Sequence, residues 1–374
     1  MLFAPLTPTA ARVSDGDIGD STCGGFIGFN VSAVPDPVAD AKLKADAETM
    51  IGWGMDSLKV VGPASTQHPD NQQRSALLGW RPQDGCANNN TAAALVMNVT
   101  YPKLGQYLKD AAKKAGKDAP WYSCSWPDYV GDILCNHART EPCVPLHSVA
   151  QACDSARLYS DISDSWAQKG NGGVKEIIEF WQANPQFAAL RNSLPAGESY
   201  YNDPDQLMVG NNGLSRSEAE AQMGMWALFS APMIMSTELR NGSMDPTMKA
   251  ILLNKEVLAI SDDALGRQAT ECTSKGCAHG GVLYGGATSV WNKTLADGSV
   301  AVGLLNTGNF GNVGAAFGDF NISFTAEAVG LSCASFTAKD LFKGKELGTF
   351  EHGFWAEVDE SSMLLLSARC AAAK

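Results

Sequence analysis

Carboxyl groups are the most plentiful reactive side chains in this 374-residue chain, 40 aspartates and glutamates against 28 lysines and arginines. Two carboxyl groups facing each other across a glycosidic bond can cleave it: one attacks the anomeric carbon or activates water, and the other protonates the leaving oxygen. Three charged places fall where a strand would give way to a loop, namely Lys59, Arg157 with Asp161, and Asp203 with Asp205. In an α/β barrel that is where working residues gather. Most acids in such a chain are solvated surface groups, so spacing alone does not choose among them. The other chemistries fit less well. None of the ten cysteines stands in a paired C-x-x-C hook for zinc, and none has a histidine arrangement that would activate a thiol. No metal and no cofactor are expected.

The elements that must position these groups change character along the chain. From about Asp40 to Ala264, helical and β-like segments alternate. Ala45–Trp53 reads as a helix leading into a strand over Asp56–Val60, and Tyr101–Ala115 as a helix followed by a strand over Trp121–Ser123. Ser215 and Glu218 have the spacing of a capping box, opening a helix that runs to about Phe229 and is stopped by Pro232. A buried strand over Met233–Ser236 and a helix over Met248–Ala259 are expected next. Such alternation implies a parallel sheet, open or closed into a barrel. After Gly266 the pattern becomes all-β, with strands over Gly281–Tyr284, Ser289–Trp291, Ser299–Leu305, Asn321–Phe324, Ser335–Asp340, Gly353–Val358 and Ser362–Leu366. Glycine and asparagine separate them, as in an antiparallel sandwich.

The net charge of −12 and the lack of a basic stripe argue against a duplex-DNA partner. No apolar run reaches the roughly 18 residues of a membrane span. Met1–Ala11 lacks the basic start and apolar stretch of a signal peptide. Six Asn-x-Ser/Thr sequons, at Asn30, Asn89, Asn98, Asn241, Asn292 and Asn321, stand beside an even number of cysteines and favour a secreted, lysosomal or vacuolar protein.

Specific motifs narrow the chemistry. Tyr201–Asn202–Asp203–Pro204–Asp205–Gln206–Leu207, followed by Val209–Gly210–Asn211, resembles the signature of glycoside hydrolase family 27, the α-galactosidases and α-N-acetylgalactosaminidases. The resemblance continues through Met225–Trp226–Ala227–Leu228, Ala231–Pro232, Asn254–Lys255–Glu256–Val257 and Ala264–Leu265–Gly266. Upstream, Asp17–Ile18–Gly19 with Thr22–Cys23–Gly24–Gly25, Trp53–Gly54–Met55–Asp56 with Leu58–Lys59–Val60, and Tyr122–Ser123–Cys124–Ser125–Trp126–Pro127 resemble its third to fifth strands, in the same order. The resemblance implies a (β/α)8 barrel over 1–265, lacking its first strands, and a C-terminal antiparallel β-sandwich over 266–374. It also implies a retaining hydrolase with two catalytic aspartates. The acid/base role falls on Asp161, with Arg157 beside it, and Lys59, Ser125, Asp128 and Asp205 fall at substrate-binding positions.

The nucleophile departs from the family pattern. Where the family reads Leu-Lys-x-Asp-Gly-Cys, this chain has Leu58–Lys59–Val60–Val61, and a valine cannot attack an anomeric carbon. Asp84–Gly85–Cys86 comes later, and deleting residues 61–83 restores the pattern with Asp84 as nucleophile. A valine codon begins with GT and a glutamine codon can be CAG, so the segment has the ends of an unspliced in-frame intron; a genuine surface insertion is the alternative. The family's first two strands have no counterpart before Asp17, and Asp15 stands where a sugar-contacting tyrosine is expected. That implies an N-terminal truncation.

The resemblance also implies disulfides Cys23–Cys86 and Cys124–Cys153. Cys272–Cys277, Cys135–Cys143 and Cys333–Cys370 are expected pairs of less specific origin. Ser125 resembles the N-acetylgalactosaminidases, whereas Asp128 could hydrogen-bond a 2-hydroxyl, so both sugars stay open with α-galactosidase favoured. The substrate expected is a terminal α-galactoside of an oligosaccharide, glycolipid or glycoprotein, and a homodimer is one option for assembly. An inactive sugar-binding homologue is the rival, because Val61 fills the literal nucleophile position. Sequencing the transcript separates intron from insertion: a message without the codons for residues 61–83 is expected, and one that retains them overturns the intron reading.

Overall fold

The computed structural model describes residues 2–5, 37–61, 90–136, 138–168, 172–195, 200–240, 242–278, 288–308 and 321–371. The described chain divides into two units, Met1–Leu158 with Ser199–Tyr201, and Tyr159–Glu198 with Asn202–Lys374.

The first unit is built on parallel strands with helical crossovers, the arrangement that strand–helix alternation demands. In chain order it contains β1 (Leu2–Pro5), α1 (Pro37–Gly52), β2 (Ser57–Val61), α2 (Asn90–Ala115), β3 (Trp121–Cys124), α3 (Trp126–Leu134), α4 (Leu146–Ala152) and β4 (Ser155–Arg157). The strands lie in the order β1-β2-β3-β4, with β5 (Tyr201–Asp203) following. The parallel register sets Phe3 beside Lys59, Lys59 beside Ser123, and Ser123 beside Ser155. The Tyr201 amide donates to the Asp154 carbonyl at 2.9 Å, and its ring stacks on Trp121 at 5.7 Å. Cys124 and Cys153 are joined, with Cα atoms 6.1 Å apart, tying the end of β3 to the approach of β4. Cys135 and Cys143 close the loop after α3. Helices α1 and α2 are held together by Asp40, which accepts from Lys103 Nζ and from the Tyr107 hydroxyl.

The second unit begins with α5 (Val174–Ala183) and α6 (Gln186–Ser193) and continues through α7 (Arg216–Leu228), α8 (Pro246–Leu252) and α9 (Lys255–Ser261). The expected capping box opens α7: Ser215 Oγ accepts from the Glu218 amide, and the Glu218 carboxylate accepts from the Ser215 amide. Then come β6 (Thr270–Glu271), β7 (Cys277–Ala278), β8 (Thr288–Thr294), β9 (Val300–Asn306), β10 (Asn321–Thr325), β11 (Ser335–Asp340), β12 (Lys345–Glu351), β13 (Gly353–Glu357) and β14 (Ser362–Cys370). They form a three-stranded sheet, β13-β10-β7, and a six-stranded sheet, β12-β11-β14-β9-β8-β6, paired antiparallel throughout. Val290, Val302, Leu304, Ile322, Phe324, Phe336 and Leu366 meet in one buried cluster, as inward-facing positions of a sandwich do. Cys272–Cys277 and Cys333–Cys370 are also bonded.

Four expectations about elements need correction. Met233–Ser236 is no strand: it makes one parallel bridge, Leu207 to Met235, because the Ile234 amide turns back to the Pro232 carbonyl and leaves Met235 44% exposed. The helix expected over Met248–Ala259 is two helices, because Asn254 Oδ1 accepts from the Glu256 and Val257 amides and starts a new one. Helix α2 begins at Asn90, eleven residues upstream of the expected Tyr101, and Pro102 lies inside it. Strand β12 was not expected; it is an edge strand whose side chains are mostly exposed, so no apolar alternation marks it. The strand expected over Gly281–Tyr284 and the Cys23–Cys86 pair lie outside the described residues.

One lysine is buried where α7 and α9 meet the sandwich. Lys293, on β8, is 1% exposed and donates to the Ala227 carbonyl at 3.3 Å, to Ser230 Oγ at 2.6 Å and to the Ile260 carbonyl. Burial draws its pKa down to about 7; Asp263 and Asp262 act against that shift and Arg191 acts with it. Below pH 7 the folded protein bears the whole cost of the buried cation. Above it the folded protein releases a proton that the unfolded chain keeps until about pH 10.4, so stability rises with pH through that window. The stability of the wild type relative to Lys293→Met is expected to increase by about 2 kcal/mol between pH 7 and pH 9. Denaturant titrations of both proteins at the two pH values measure it, and a pH-independent difference would refute it.

Candidate active site

In the first unit four expected residues lie on, or shortly after, neighbouring strands of the sheet. Lys59 lies on β2, Ser125 directly follows β3 and stands at the N-cap of α3, Asp128 is in the first turn of α3, and Arg157 is the last residue of β4. Lys59, Ser125 and Arg157 are buried and Asp128 is half-buried. Burial pushes the Asp128 carboxyl above the ordinary carboxylate range; the neighbouring charges of Arg139 and Arg157 pull it back, and Asp132 adds to the rise. Buried cations, a hydroxyl and a carboxylate are the side-chain types suited to a polyhydroxylated ligand, which supplies both donors and acceptors.

The second unit holds Asp161 and Asp205. Asp161 is exposed, on the irregular segment that precedes α5, and Asp205 lies just past β5. Asp205 is fixed at three points. Its amide donates to Asp203 Oδ1 at 2.8 Å, its Oδ2 accepts from the Ile162 amide at 2.9 Å, and its carbonyl accepts from Trp226 Nε1 at 2.7 Å. To do this it adopts φ 79°, a left-handed conformation that aspartate and asparagine tolerate better than most residues. Asn202 anchors the strand from behind, its Nδ2 donating to the Phe187 carbonyl and to Gln268 Oε1. Asp205 therefore holds the backbone next to Asp161.

The far side of that segment depends on Gly172. With φ 91°, it lies so close to the segment that an added Cβ would fall 2.3 Å from the Asp161 carbonyl oxygen. The Gly172 carbonyl accepts from both the amide and the hydroxyl of Ser163. Asp164 Oδ2 completes the loop by accepting from the Gly213 amide at 3.0 Å.

Lys59, Ser125, Asp128 and Arg157 thus belong to one unit and Asp161 and Asp205 to the other, while Asp84 lies outside the described residues. Arg139, Gly131 and Gly172 were not singled out from the sequence. An arginine in a loop bracketed by two cysteines was the one available signal for Arg139. Among the described residues no group of three His, Cys, Asp or Glu side chains is disposed to hold a metal, and no helix is long and apolar enough to cross a membrane.

Comparison with known proteins adds to this geometry. A family model described as alpha galactosidase A matches residues 78–263, and one described as the alpha galactosidase C-terminal beta sandwich domain matches residues 285–368. The chain is 30% identical over 261 residues to an alpha-N-acetylgalactosaminidase of Gallus gallus, covering 70% of this chain and 50% of that protein. It is 28% identical over 337 residues to alpha-galactosidase A of Homo sapiens, covering 90% and 61%. The chain spans about half the length of most of the curated relatives it matches. Among solved structures, alpha-galactosidase I of Mortierella vinacea superposes with a TM-score of 0.61 at 22% identity, covering 95% of this chain and 75% of that one, a likeness of fold.

Removing the Asp205 side chain is expected to free the segment that carries Asp161. Asp205→Ala loses the acceptor for a partly buried amide and adds strain at a left-handed position, together about 1–3 kcal/mol. Asp205→Asn keeps an oxygen for Ile162 and tolerates φ 79°, so its loss is smaller. Hydrogen exchange at the Ile162 amide reads this out: protection falls clearly in Asp205→Ala and less in Asp205→Asn, and equal protection in all three proteins would be the contrary result.

Proposed function

The chain belongs to glycoside hydrolase family 27, whose fold is a (β/α)8 barrel followed by a C-terminal β-sandwich, and from that membership we propose that it removes terminal α-galactosyl groups with retention of configuration. The observation that carries this reading is the hydrogen bond from the Ile162 amide to Asp205 Oδ2, by which the Tyr201–Asp205 motif holds the segment of the acid/base aspartate in place.

In the first step the Asp84 carboxylate attacks C1 of the galactosyl group while Asp161, protonated, gives its proton to the departing glycosidic oxygen. The C1–O bond breaks and a covalent galactosyl ester forms on Asp84. In the second step Asp161, now ionised, takes a proton from water, the resulting hydroxide attacks C1, and Asp84 leaves as carboxylate. Two inversions return the original anomer. Asp161 is exposed, as a group that must reach both an incoming aglycone and water should be. Lys59 and Arg157 supply donors to sugar oxygens, and the half-buried Asp128 supplies an acceptor. A polar, charged Asp128 suits a 2-hydroxyl better than an acetamido methyl, which favours galactose; Ser125 and the N-acetylgalactosaminidase relatives keep the N-acetyl sugar as the alternative.

The family-model match beginning at residue 78 takes in Asp84, which supports that residue as the nucleophile. The two matches, 78–263 and 285–368, likewise support a division into a catalytic domain over 1–265 and a β-domain over 266–374. Four disulfides among the described residues favour an oxidising compartment, secreted or lysosomal. Val61 favours a second reading, a sugar-binding protein without turnover, because strand β2 continues into it where the family places its nucleophile.

Two proteins, the chain as given and the chain without residues 61–83, assayed on nitrophenyl α-galactoside and its N-acetyl analogue, test these readings. Turnover of the galactoside, with the α-anomer of galactose formed first by NMR, is the expected result. Asp161→Asn should lower kcat on an unactivated galactoside by roughly 10²–10⁴-fold, and Asp84→Asn should abolish turnover. Galactose binding without turnover in both proteins would favour the second reading, and neither binding nor turnover would overturn both.

A further inference from the structure

Arg139 is 1% exposed, an uncommon environment for a guanidinium, which is almost never fully buried unless paired. It sits in the loop that Cys135–Cys143 closes between α3 and α4. Its Nε donates to the Leu158 carbonyl at 2.9 Å. Its Nη2 donates to Asp128 Oδ1 at 2.8 Å and to Asp132 Oδ1 at 2.6 Å. Asp128 and Asp132 are four residues apart on α3, so they share a face and would repel without a cation between them. Leu158 is the residue after Arg157, at the end of β4.

Space for the guanidinium is provided by Gly131. A Cβ there would lie 2.3 Å from Arg139 Nη1 and 2.5 Å from its Cζ, so any larger residue at 131 must displace the head group. A planar fork with donors in fixed directions can serve a carbonyl and two carboxylates together; a lysine ammonium on a flexible stem cannot reproduce that arrangement. The disulfide and the glycine thus place one arginine where it ties the turn bearing Asp128 to the strand end bearing Arg157.

We propose that Arg139 is a positioning residue for sugar binding, acting through Asp128 and through the backbone that follows Arg157. This rests on the reading of Lys59, Asp128 and Arg157 as sugar contacts. The guanidinium does not touch the sugar; it sets the direction of the Asp128 carboxylate and keeps the two contact residues in register. Its effect therefore falls on galactose affinity and on KM, and little on kcat, which belongs to Asp84 and Asp161.

The pH dependence gives a second signature. Asp128 is faced by Arg139, Arg157 and Asp132. Burial raises its pKa and both arginines oppose that rise, so taking away the Arg139 charge moves its protonation upward. Galactose affinity, which needs the ionised carboxylate, should then be lost at a higher pH as the solution is acidified.

The test uses the full chain and its Arg139→Lys, Arg139→Met and Gly131→Ala variants, with galactose Kd by calorimetric titration from pH 4 to pH 8 and the melting temperature of each protein. Arg139→Lys is expected to weaken galactose binding roughly tenfold with the acid limb near its wild-type position, because charge is kept and geometry lost. Arg139→Met should weaken it further and shift the limb upward, and Gly131→Ala should behave as Arg139→Lys does. In the background of Asp128→Asn, Arg139→Lys should cost markedly less than it does alone, since the two act as a unit. If Arg139→Met does not fold, Arg139→Lys decides. Wild-type Kd and acid limb in a folded Arg139→Lys, or full additivity with Asp128→Asn, would overturn the proposal. Failure of the unaltered chain to bind galactose at all would instead overturn the proposed function.

Discussion

A single carboxylate organises the segment of the second unit that bears Asp161. Asp205 accepts the Ile162 amide, donates its own amide to Asp203, and offers its carbonyl to Trp226. All three bonds require the left-handed backbone at Asp205, which turns the chain sharply past β5. Without it the segment bearing Asp161 would lack its anchor on this side, and Gly172 would be pressed against a backbone free to move. Asp161, the proposed acid/base, is exposed, yet the backbone beside it is held by a partly buried bond. Exposure of the reactive atom and burial of its support are what a group exchanging protons with both aglycone and water needs.

In the first unit a cation does the organising instead. Asp128 and Asp132 are brought side by side by the helix period, and Arg139 is the charge that makes their proximity tolerable. The loop that delivers Arg139 is short and closed by a disulfide, so little conformational freedom has to be given up to seat it. Lys293 is the contrasting case in the second unit. It is buried against two carbonyls and a hydroxyl with its nearest carboxylates at a distance that only partly offsets desolvation, and its pKa falls accordingly. Arg139 donates to two carboxylates, whereas the hydrogen bonds described for Lys293 go to neutral oxygens.

Much of the fold was legible before any coordinates. The capping box at Ser215 and Glu218, the change to all-β after Gly266 and the strands expected over Ser335–Asp340 and Asn321–Phe324 follow from local patterns, because caps and alternation are properties of a few neighbouring residues. The misses are of one kind. The Met233–Ser236 segment has a strand's composition, but Pro232 and a tight turn leave it one bridge. Asn254 splits a helix that periodicity joined, and α2 begins at Asn90, upstream of the expected Tyr101. In each case a tertiary neighbour or a side-chain cap outweighed local preference.

The residue types at the site were readable from the chain alone. Lys59, Arg157, Asp161 and Asp205 stand in motifs whose order and spacing persist whatever the coordinates, and so did the family to which they belong. What the tertiary structure adds is the exposure of each and the backbone each one holds. Asp161 and Asp205 are both acids in strong motifs, and only the fold shows one exposed and the other holding the first one's backbone. Arg139 carried no motif, because its setting depends on a glycine eight residues before it in sequence and on a carbonyl 19 residues after it. Sequence records what each residue can donate or accept; burial and long-range packing decide which donor meets which acceptor, and that is what separates a catalytic carboxylate from a structural one.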